Sequence, residues 1–386
     1  MTKKTVFTAY KITTAIMKYL ERTMKINSEI IIIGGGFAGA RTAQDLVKAG
    51  FSNVTLIDRK DYFEVTYATL RGIVEPNKWG KSSRRKYQDF FNGSFLQASV
   101  IQLTREQLRL DTGAILNFDF VVIATGSSYP SFQIGKSADA LDINQRHQQF
   151  KDENKKLVKA KEVLVIGGGP VGVELAGEIA DYYPEKNVTL VQKSNRLLNG
   201  FRDKTSKTSE KLLEKLGVNV LLNETIRENE YGELVARTAN QVIHADIIYS
   251  CVGVKVNTGW LDGIFNKALN SQGQLIVDEF LRVRPYNNIF AIGDCSNVKE
   301  AKLGNLANMQ GKELAKNMVR LLKGKGFKEY KTNPDKVLLP TGRKSGLAQL
   351  PFAVTTAKLL VNMKQKDLFI SKTFKDLGVK QTIHQD

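Results

Sequence analysis

A glycine-rich turn between an apolar strand and a helical pattern occurs twice in this 386-residue chain, and no other feature constrains the fold as strongly. The first copy is EIIIIGGGFAGARTAQDL, with Gly34, Gly36 and Gly39 in G-x-G-x-x-G spacing; the second is VLVIGGGPVGVELAGEI, with Gly167, Gly169 and Gly172. Both follow a run of β-branched or leucine residues and open a helix, the context in which the spacing has physical meaning. Gly34 and Gly167 allow the tight turn, and Gly36 and Gly169 let backbone N–H groups approach a pyrophosphate. Gly39 and Gly172 let the helix pack closely, its positive N-terminal end aimed at the phosphates. Two such units imply two dinucleotides bound by one chain.

The residue closing each unit separates the two ligands. NVTLID places Asp58 at the end of the next strand, where a carboxylate hydrogen-bonds a ribose diol. At the equivalent place NVTLVQKSNR offers Gln192, then Lys193 and Arg196. No acid stands there to repel a 2′-phosphate and two cations attract one, so NADPH is expected to be accepted at least as well as NADH. The competing reading makes Lys193 and Arg196 solvated surface charges.

Three later segments extend the pattern. FDFVVIATGS contains Thr125 and Gly126, ADIIYSCVG ends at Gly253, and NNIFAIGDCS contains Gly293 and Asp294. Taken with the two fingerprints, they resemble the flavoprotein reductases of the FAD/NAD(P)-binding pyridine nucleotide-disulfide oxidoreductase superfamily. The resemblance implies FAD held by Gly34, Gly36, Gly39, Asp58, Thr125, Gly126, Gly293 and Asp294, with Asp294 on the ribityl chain. It also implies NADH or NADPH along Gly167 to Glu174, with Glu174 facing the nicotinamide.

The cysteines narrow the chemistry. Cys251 and Cys295 are the only two, in no C-x-x-C arrangement, and neither lies in Asp58 to Gly72, where disulfide reductases of this superfamily carry their redox pair. A dithiol relay needs paired thiols and a poised thiolate, so both read as small buried residues. His147, His244 and His384 stand in no metal-ligand spacing, and no metal is expected.

The C-terminal segment LPTGRKSGLAQLPF followed by NMKQKDLFISKTFK resembles the apoptosis-inducing-factor-like flavoproteins, in their ferroptosis suppressor branch, which reduces quinones with NAD(P)H. KDYFEVTYATLRGIVE and YPEKNVTLV fit that branch too. By this resemblance Gly342, Arg343, Gly346 and Gln349 shape a flavin-side wall, and Lys364 approaches the isoalloxazine or the acceptor. The chain also resembles the type II NADH dehydrogenases but departs from their pattern: GNLANMQG places Asn305 and Met309 where their two quinone-mouth glutamines stand.

The expected architecture is α/β: two Rossmann-like dinucleotide-binding domains, the NAD(P) domain inserted in the FAD domain, plus a small C-terminal α+β cap. The expected boundaries are 28–130 and 255–326 for the FAD domain, 131–254 for the NAD(P) domain and 327–386 for the cap. A basic amphipathic extension, 1–27, precedes them. Ser94 to Asp119 reads as an antiparallel meander.

The net charge of +18 is concentrated at the ends. Met1 to Ser28 holds six lysines and arginines against one glutamate, and Ala301 to Asp386 holds 17 against six acids. Basic ends on a near-neutral middle suit an anionic membrane surface; high-lysine solvated faces are the plain alternative. Nucleic acid would be attracted as well, but no groove-reading motif accompanies the charge. Within the first 26 residues Lys11, Lys18, Arg22 and Lys25 share one side of a helical wheel and Ile12, Ile16 and Leu20 another. The segment suits a mitochondrial presequence or an interfacial anchor, or else translation starts at Met24. The extension is too short and too polar to span a bilayer, and nowhere else do ~18 uninterrupted apolar residues occur. An intracellular, cytoplasmic setting with peripheral membrane association is expected, or a mitochondrial one if the extension is a presequence.

The leading functional expectation is an FAD-dependent NAD(P)H oxidoreductase that delivers electrons to a quinone. A second has the same enzyme using dioxygen or a soluble iron–sulfur protein. A third is a non-enzymatic redox sensor acting through partner or DNA binding.

Overall fold

The structure, a computed structural model, describes residues 24–261, 263–333 and 336–379. Most of the basic extension, residues 1–23, and His384 lie outside the described residues. The chain forms two compact units. One is drawn from the chain up to Arg59, Phe91–Gly126 and Val256–Lys331; the other comprises Lys60–Phe90, Ser127–Lys255 and the chain from Thr332 onward.

The first unit is built on a five-stranded parallel sheet in the order Ile289–Ala291, Phe120–Ile123, Ile30–Ile33, Val54–Asp58, Ser94–Gln97. Its central strand is four isoleucines, all buried. A strand covered on both faces reads as a continuous apolar run rather than an alternating one. Ile30 to Ile33 pair in register with Val54 to Ile57 on one side and Phe120 to Ile123 on the other. The helix Phe37–Lys48 follows the first glycine turn, and Gly304–Leu322 follows the Gly293-Asp294 turn. These two helices touch where Gly311 comes so close to Ala38 O that a side chain at Gly311 would overlap it.

The expected meander is shorter than its sequence reading. Val100–Leu103, Gln107–Leu110 and Ile115–Asn117 form an antiparallel three-stranded sheet, but Ser94–Gln97 is the fifth parallel strand. Partly exposed edge strands alternate like a meander, so the pattern misled at that point.

The second unit repeats the theme with a four-stranded parallel sheet in the order Asn219–Leu221, Asn187–Val191, Glu162–Ile166, Ile247–Ser250. The helices Pro170–Tyr182 and Asp203–Lys215 accompany it, and a three-stranded antiparallel sheet (Ile226–Glu228, Leu234–Ala236, Gln241–Val242) packs Ala236 and Ile243 against Leu164 and Val191. The same unit contains the strand pair Tyr62–Glu64 and Arg84–Lys86, the helix Ile143–Lys159, and the C-terminal hairpin Val337–Thr341 and Ser345–Gln349. The hairpin is followed by a short cap helix, Lys358–Gln365.

Glu64 is the electrostatic centre of this unit. It accepts hydrogen bonds from Arg84 at 3.0 Å and Arg146 at 3.1 Å, and both guanidiniums lie over the Phe150 ring. Burial pushes the Glu64 carboxyl up, but Arg146, Arg84 and Lys60 outweigh it and hold it down at about 2.

Candidate active site

In the first unit, Ile33 runs into a turn that only glycines fit. Gly34 has φ +100°, and a Cβ there would sit 2.4 Å from Ala124 O. At Gly39 a Cβ would lie 1.8 Å from Gly34 O, so helix and turn touch backbone to backbone. Gly36 is different: a Cβ there meets nothing within 4 Å. The helix it opens has no side-chain cap, whereas Asp142 and Gln145 close a full capping box on Ile143–Lys159. An uncapped N-terminus with open space at its glycine is the arrangement a dinucleotide phosphate fits. Asp58 Oδ2 accepts from Gly35 N at 2.6 Å, which ties the acid at the end of the second strand to the turn.

Thr125 and Gly126 follow the strand Phe120–Ile123. Asn257 holds this turn, its Nδ2 donating to Thr125 O at 2.9 Å and its N to Gly126 O at 3.0 Å. Asp294 sits half-buried in a single helical turn after Gly293, whose φ is +75°. Gln310 Oε1 accepts from Gly293 N at 2.7 Å, and Gln310 Nε2 donates to Glu300 at 2.7 Å. Gln310 therefore fixes the Gly293-Asp294 turn, while Asn305 and Met309 on the same helix are exposed.

The second unit repeats this geometry. Gly167 has φ +108°, a Cβ at Gly172 would lie 1.9 Å from Gly167 O, and a Cβ at Gly169 meets nothing within 4 Å. Gln192 stands where Asp58 stands in the first unit: its Oε1 accepts from Gly168 N at 3.0 Å. Its Nε2 donates to Ser194 Oγ and Arg196 O. Arg196 is engaged by Asp203, Asn199 and Phe201 O, whereas Lys193 is exposed. Of the two cations in this loop, Lys193 is thus the one available to a 2′-phosphate. Gly253, with φ +75°, follows the strand Ile247–Ser250.

Glu174 and Lys364 meet, although they stand 190 positions apart. Lys364 Nζ donates to Glu174 Oε1 at 3.0 Å and to Leu338 O at 3.0 Å, and it lies 5.8 Å from the centre of the Tyr67 ring. Burial holds the Glu174 carboxyl above its ordinary range, and Lys364 opposes that rise. One turn further along the helix, Glu178 receives a two-point bond from Arg71, Nε at 2.9 Å and Nη2 at 2.6 Å. Arg71 also donates to Gln365 Oε1. Neither Arg71, Glu178 nor Gln365 stood out in the sequence. The one local signal was Glu174 and Glu178, four apart on one helical face.

The G-R-x-x-G-x-x-Q residues contact helices of their own unit. Gly342, with φ +72°, packs so closely that a Cβ would lie 2.5 Å from Asp181 Cβ, and Arg343 binds Asp181 through N at 2.7 Å and Nε at 2.9 Å. At Gly346 a Cβ would lie 2.5 Å from Leu339 O across the hairpin. Gln349 Oε1 accepts from Thr205 Oγ1 at 2.6 Å and Arg202 N at 3.1 Å. These contacts fasten the C-terminal hairpin to the helices Pro170–Tyr182 and Asp203–Lys215.

Both thiols are buried, Cys251 after a strand and Cys295 next to Asp294 in the same helical turn. Burial pushes the Cys251 thiol up to about 12 and also raises that of Cys295. Among the described residues no group of three or more His, Cys, Asp or Glu is placed to hold a metal ion.

With this geometry in view, the comparisons with known proteins are consistent. The family model for pyridine nucleotide-disulphide oxidoreductases matches residues 28–320. Ferroptosis suppressor protein 1 of Xenopus tropicalis is 32% identical over 361 residues, covering 90% of this chain and 96% of that protein. Apoptosis-inducing factor homolog B of Dictyostelium discoideum is 30% identical over 381 residues, with coverage of 90% and 96%. Among solved structures, the sulfide:quinone oxidoreductase of Aquifex aeolicus superposes with TM-score 0.73 at 16% identity, covering 90% of this chain and 92% of that one. NDH2 of Plasmodium falciparum in complex with NADH gives TM-score 0.65 at 17% identity, with coverage of 93% and 99%. The chain belongs to the pyridine nucleotide-disulphide oxidoreductase family, and the apoptosis-inducing-factor-like resemblance is borne out by these relatives. It is an oxidoreductase that uses FAD and NAD(P)H.

Proposed function

We propose that this enzyme oxidises NAD(P)H and passes the electrons to a quinone. FAD, when bound, supplies the redox chemistry, accepting a hydride and releasing electrons to an acceptor. The protein's part is to bind, orient and tune. Gly34, Gly36, Gly39, Asp58, Thr125, Gly126, Gly293 and Asp294 hold the flavin dinucleotide. Gly167, Gly169, Gly172, Gln192, Lys193 and Gly253 hold the nicotinamide dinucleotide, and Arg196, bonded to Asp203, Asn199 and Phe201 O, braces the loop that carries Lys193. Glu174 orients the nicotinamide end, and Lys364 fixes the Glu174 carboxylate in position and keeps a positive charge beside it.

The observation that carries this reading is the Lys364–Glu174 pair at the start of the second turn of the helix that opens at Gly169. A nearly buried ion pair is costly to desolvate and is weak evidence for stability, so its retention beside a dinucleotide turn favours a role in turnover. Two buried, unpaired thiols leave no dithiol relay, which supports direct delivery from flavin to acceptor. The resemblance to the ferroptosis suppressor branch supports a quinone as that acceptor.

An anionic membrane surface is the partner that suits such an acceptor. Phe352 is 98% exposed and Leu359 80%, beside Lys358 on a basic C-terminal segment. No helix among the described residues is long and apolar enough to cross a membrane, so the association we infer is peripheral. Steady-state NADPH oxidation with a short-chain ubiquinone, dioxygen or a soluble iron–sulfur protein tests the reading. Quinone should be the fastest acceptor; a faster rate with either rival would displace it.

A further inference from the structure

Lys364 is carried by a cap helix of only eight residues, Lys358–Gln365, so something must set that helix in register with Glu174. Gln365, its last residue, uses every group of its side-chain amide. Gln365 Nε2 donates to Gly342 O and Ser345 O, each at 2.7 Å, and Gln365 Oε1 accepts from Arg71 Nη2. Arg71 Nη1 donates to the Gln365 carbonyl at 3.3 Å. The other side of the same guanidinium grips Glu178. Glu178 lies one helical turn from Glu174, and Gln365 is next to Lys364. One planar group, 3% exposed, thereby fixes the two neighbours of the ion pair relative to each other.

We infer that Arg71 is a positioning residue, which holds the cap helix where Lys364 meets Glu174 and acts on turnover only through that pair. Neutralising Glu178 needs only the Arg71–Glu178 contact; the bonds to Gln365 meet no opposite charge and serve to align. A lysine keeps the charge but lacks the planar fork that reaches both partners at once. The inference rests on the reading that Glu174 and Lys364 serve hydride transfer, and the test separates the two.

Anaerobic flavin reduction by NADPH would be followed in Arg71→Lys, Gln365→Leu, Lys364→Met and the two double variants with Lys364→Met. Arg71→Lys and Gln365→Leu should each slow reduction roughly 10- to 100-fold at saturating NADPH with little change in its Kd, as displaced reacting groups do. Neither should slow it further when Lys364 is already Met. Gln365→Leu leaves the Arg71–Glu178 bond intact, so it decides the matter if Arg71→Lys does not fold. A normal rate in Gln365→Leu beside a slow Lys364→Met, or multiplicative losses in the doubles, would overturn the positioning role. A normal rate in Lys364→Met itself would remove the underlying reading, and the role of Arg71 with it.

Discussion

Lys364 Nζ stands 3.0 Å from Glu174 Oε1, joining the C-terminal cap helix to the second turn of the helix Pro170–Tyr182. Burial raises the Glu174 carboxyl and Lys364 opposes that rise. Lys364→Met should therefore move the pH at which Glu174 ionises upward, since burial and Glu178 then face only the more distant Arg71. The acidic limb of the pH profile for anaerobic reduction would shift to higher pH, with reduction slowed about 10-fold or more. An unshifted limb would separate Glu174 from the reaction.

Gln192 and Asp58 hold equivalent positions, each accepting from the backbone of its glycine turn. Restoring the acid with Gln192→Glu should place a negative charge where a 2′-phosphate would lie. The ratio of kcat/KM for NADPH over NADH should fall by about 10-fold or more, equivalent to about 1.4 kcal/mol. Lys193→Ala should lower the same ratio by a smaller factor. Steady-state kinetics with both nucleotides measures it.

The glycines of the first turn should divide by what surrounds them. Gly36→Ala meets no protein atom within 4 Å, so the chain should fold normally while losing FAD affinity. Gly39→Ala drives a methyl into Gly34 O and should destabilise the first unit itself. Flavin content and thermal unfolding, measured together, distinguish the two outcomes.

Much of this was legible because it is local. Ile30 to Gly39 and Val163 to Gly172 carry strand, turn and helix within one short window, and the turn geometry follows from steric limits on non-glycine residues. What escaped depends on partners far apart in the chain. Arg71 finds Glu178 at 107 positions and Gln365 at 294, and no local periodicity encodes such a meeting. The same holds for Gln349, which the family resemblance set at a flavin wall and which bonds Thr205 and Arg202. Lys60–Phe90 follows the first unit's strands directly in sequence yet is part of the second unit. Its Glu64 is matched by Arg146 from a distant helix.

Glu64 makes the clearest stability prediction. Its carboxyl is held at about 2, below the ordinary 4.5, so its contribution is complete above about 4.5 and is lost as pH falls from there towards 2. Glu64→Gln leaves Arg84 and Arg146 buried without a counter-charge and should cost about 3–5 kcal/mol at neutral pH. The variant should also flatten the wild-type loss of stability across that acid window. Denaturant unfolding at several pH values checks both.

The thiols should be inert. With Cys251 pushed up to about 12 and Cys295 fully buried, Cys251→Ser and Cys295→Ser should retain NAD(P)H oxidation, and the native protein should resist alkylation at neutral pH. Loss of turnover on alkylating one thiol would reinstate a thiol relay.

The central claim, hydride in from NAD(P)H and electrons out to a quinone, is tested most directly by anaerobic stopped-flow absorbance on the flavin-loaded enzyme. NADPH should bleach the flavin rapidly and at least as fast as NADH does, and a short-chain ubiquinone should then reoxidise it much faster than air. Flavin that bleaches but is reoxidised no faster by the quinone than by air would contradict it.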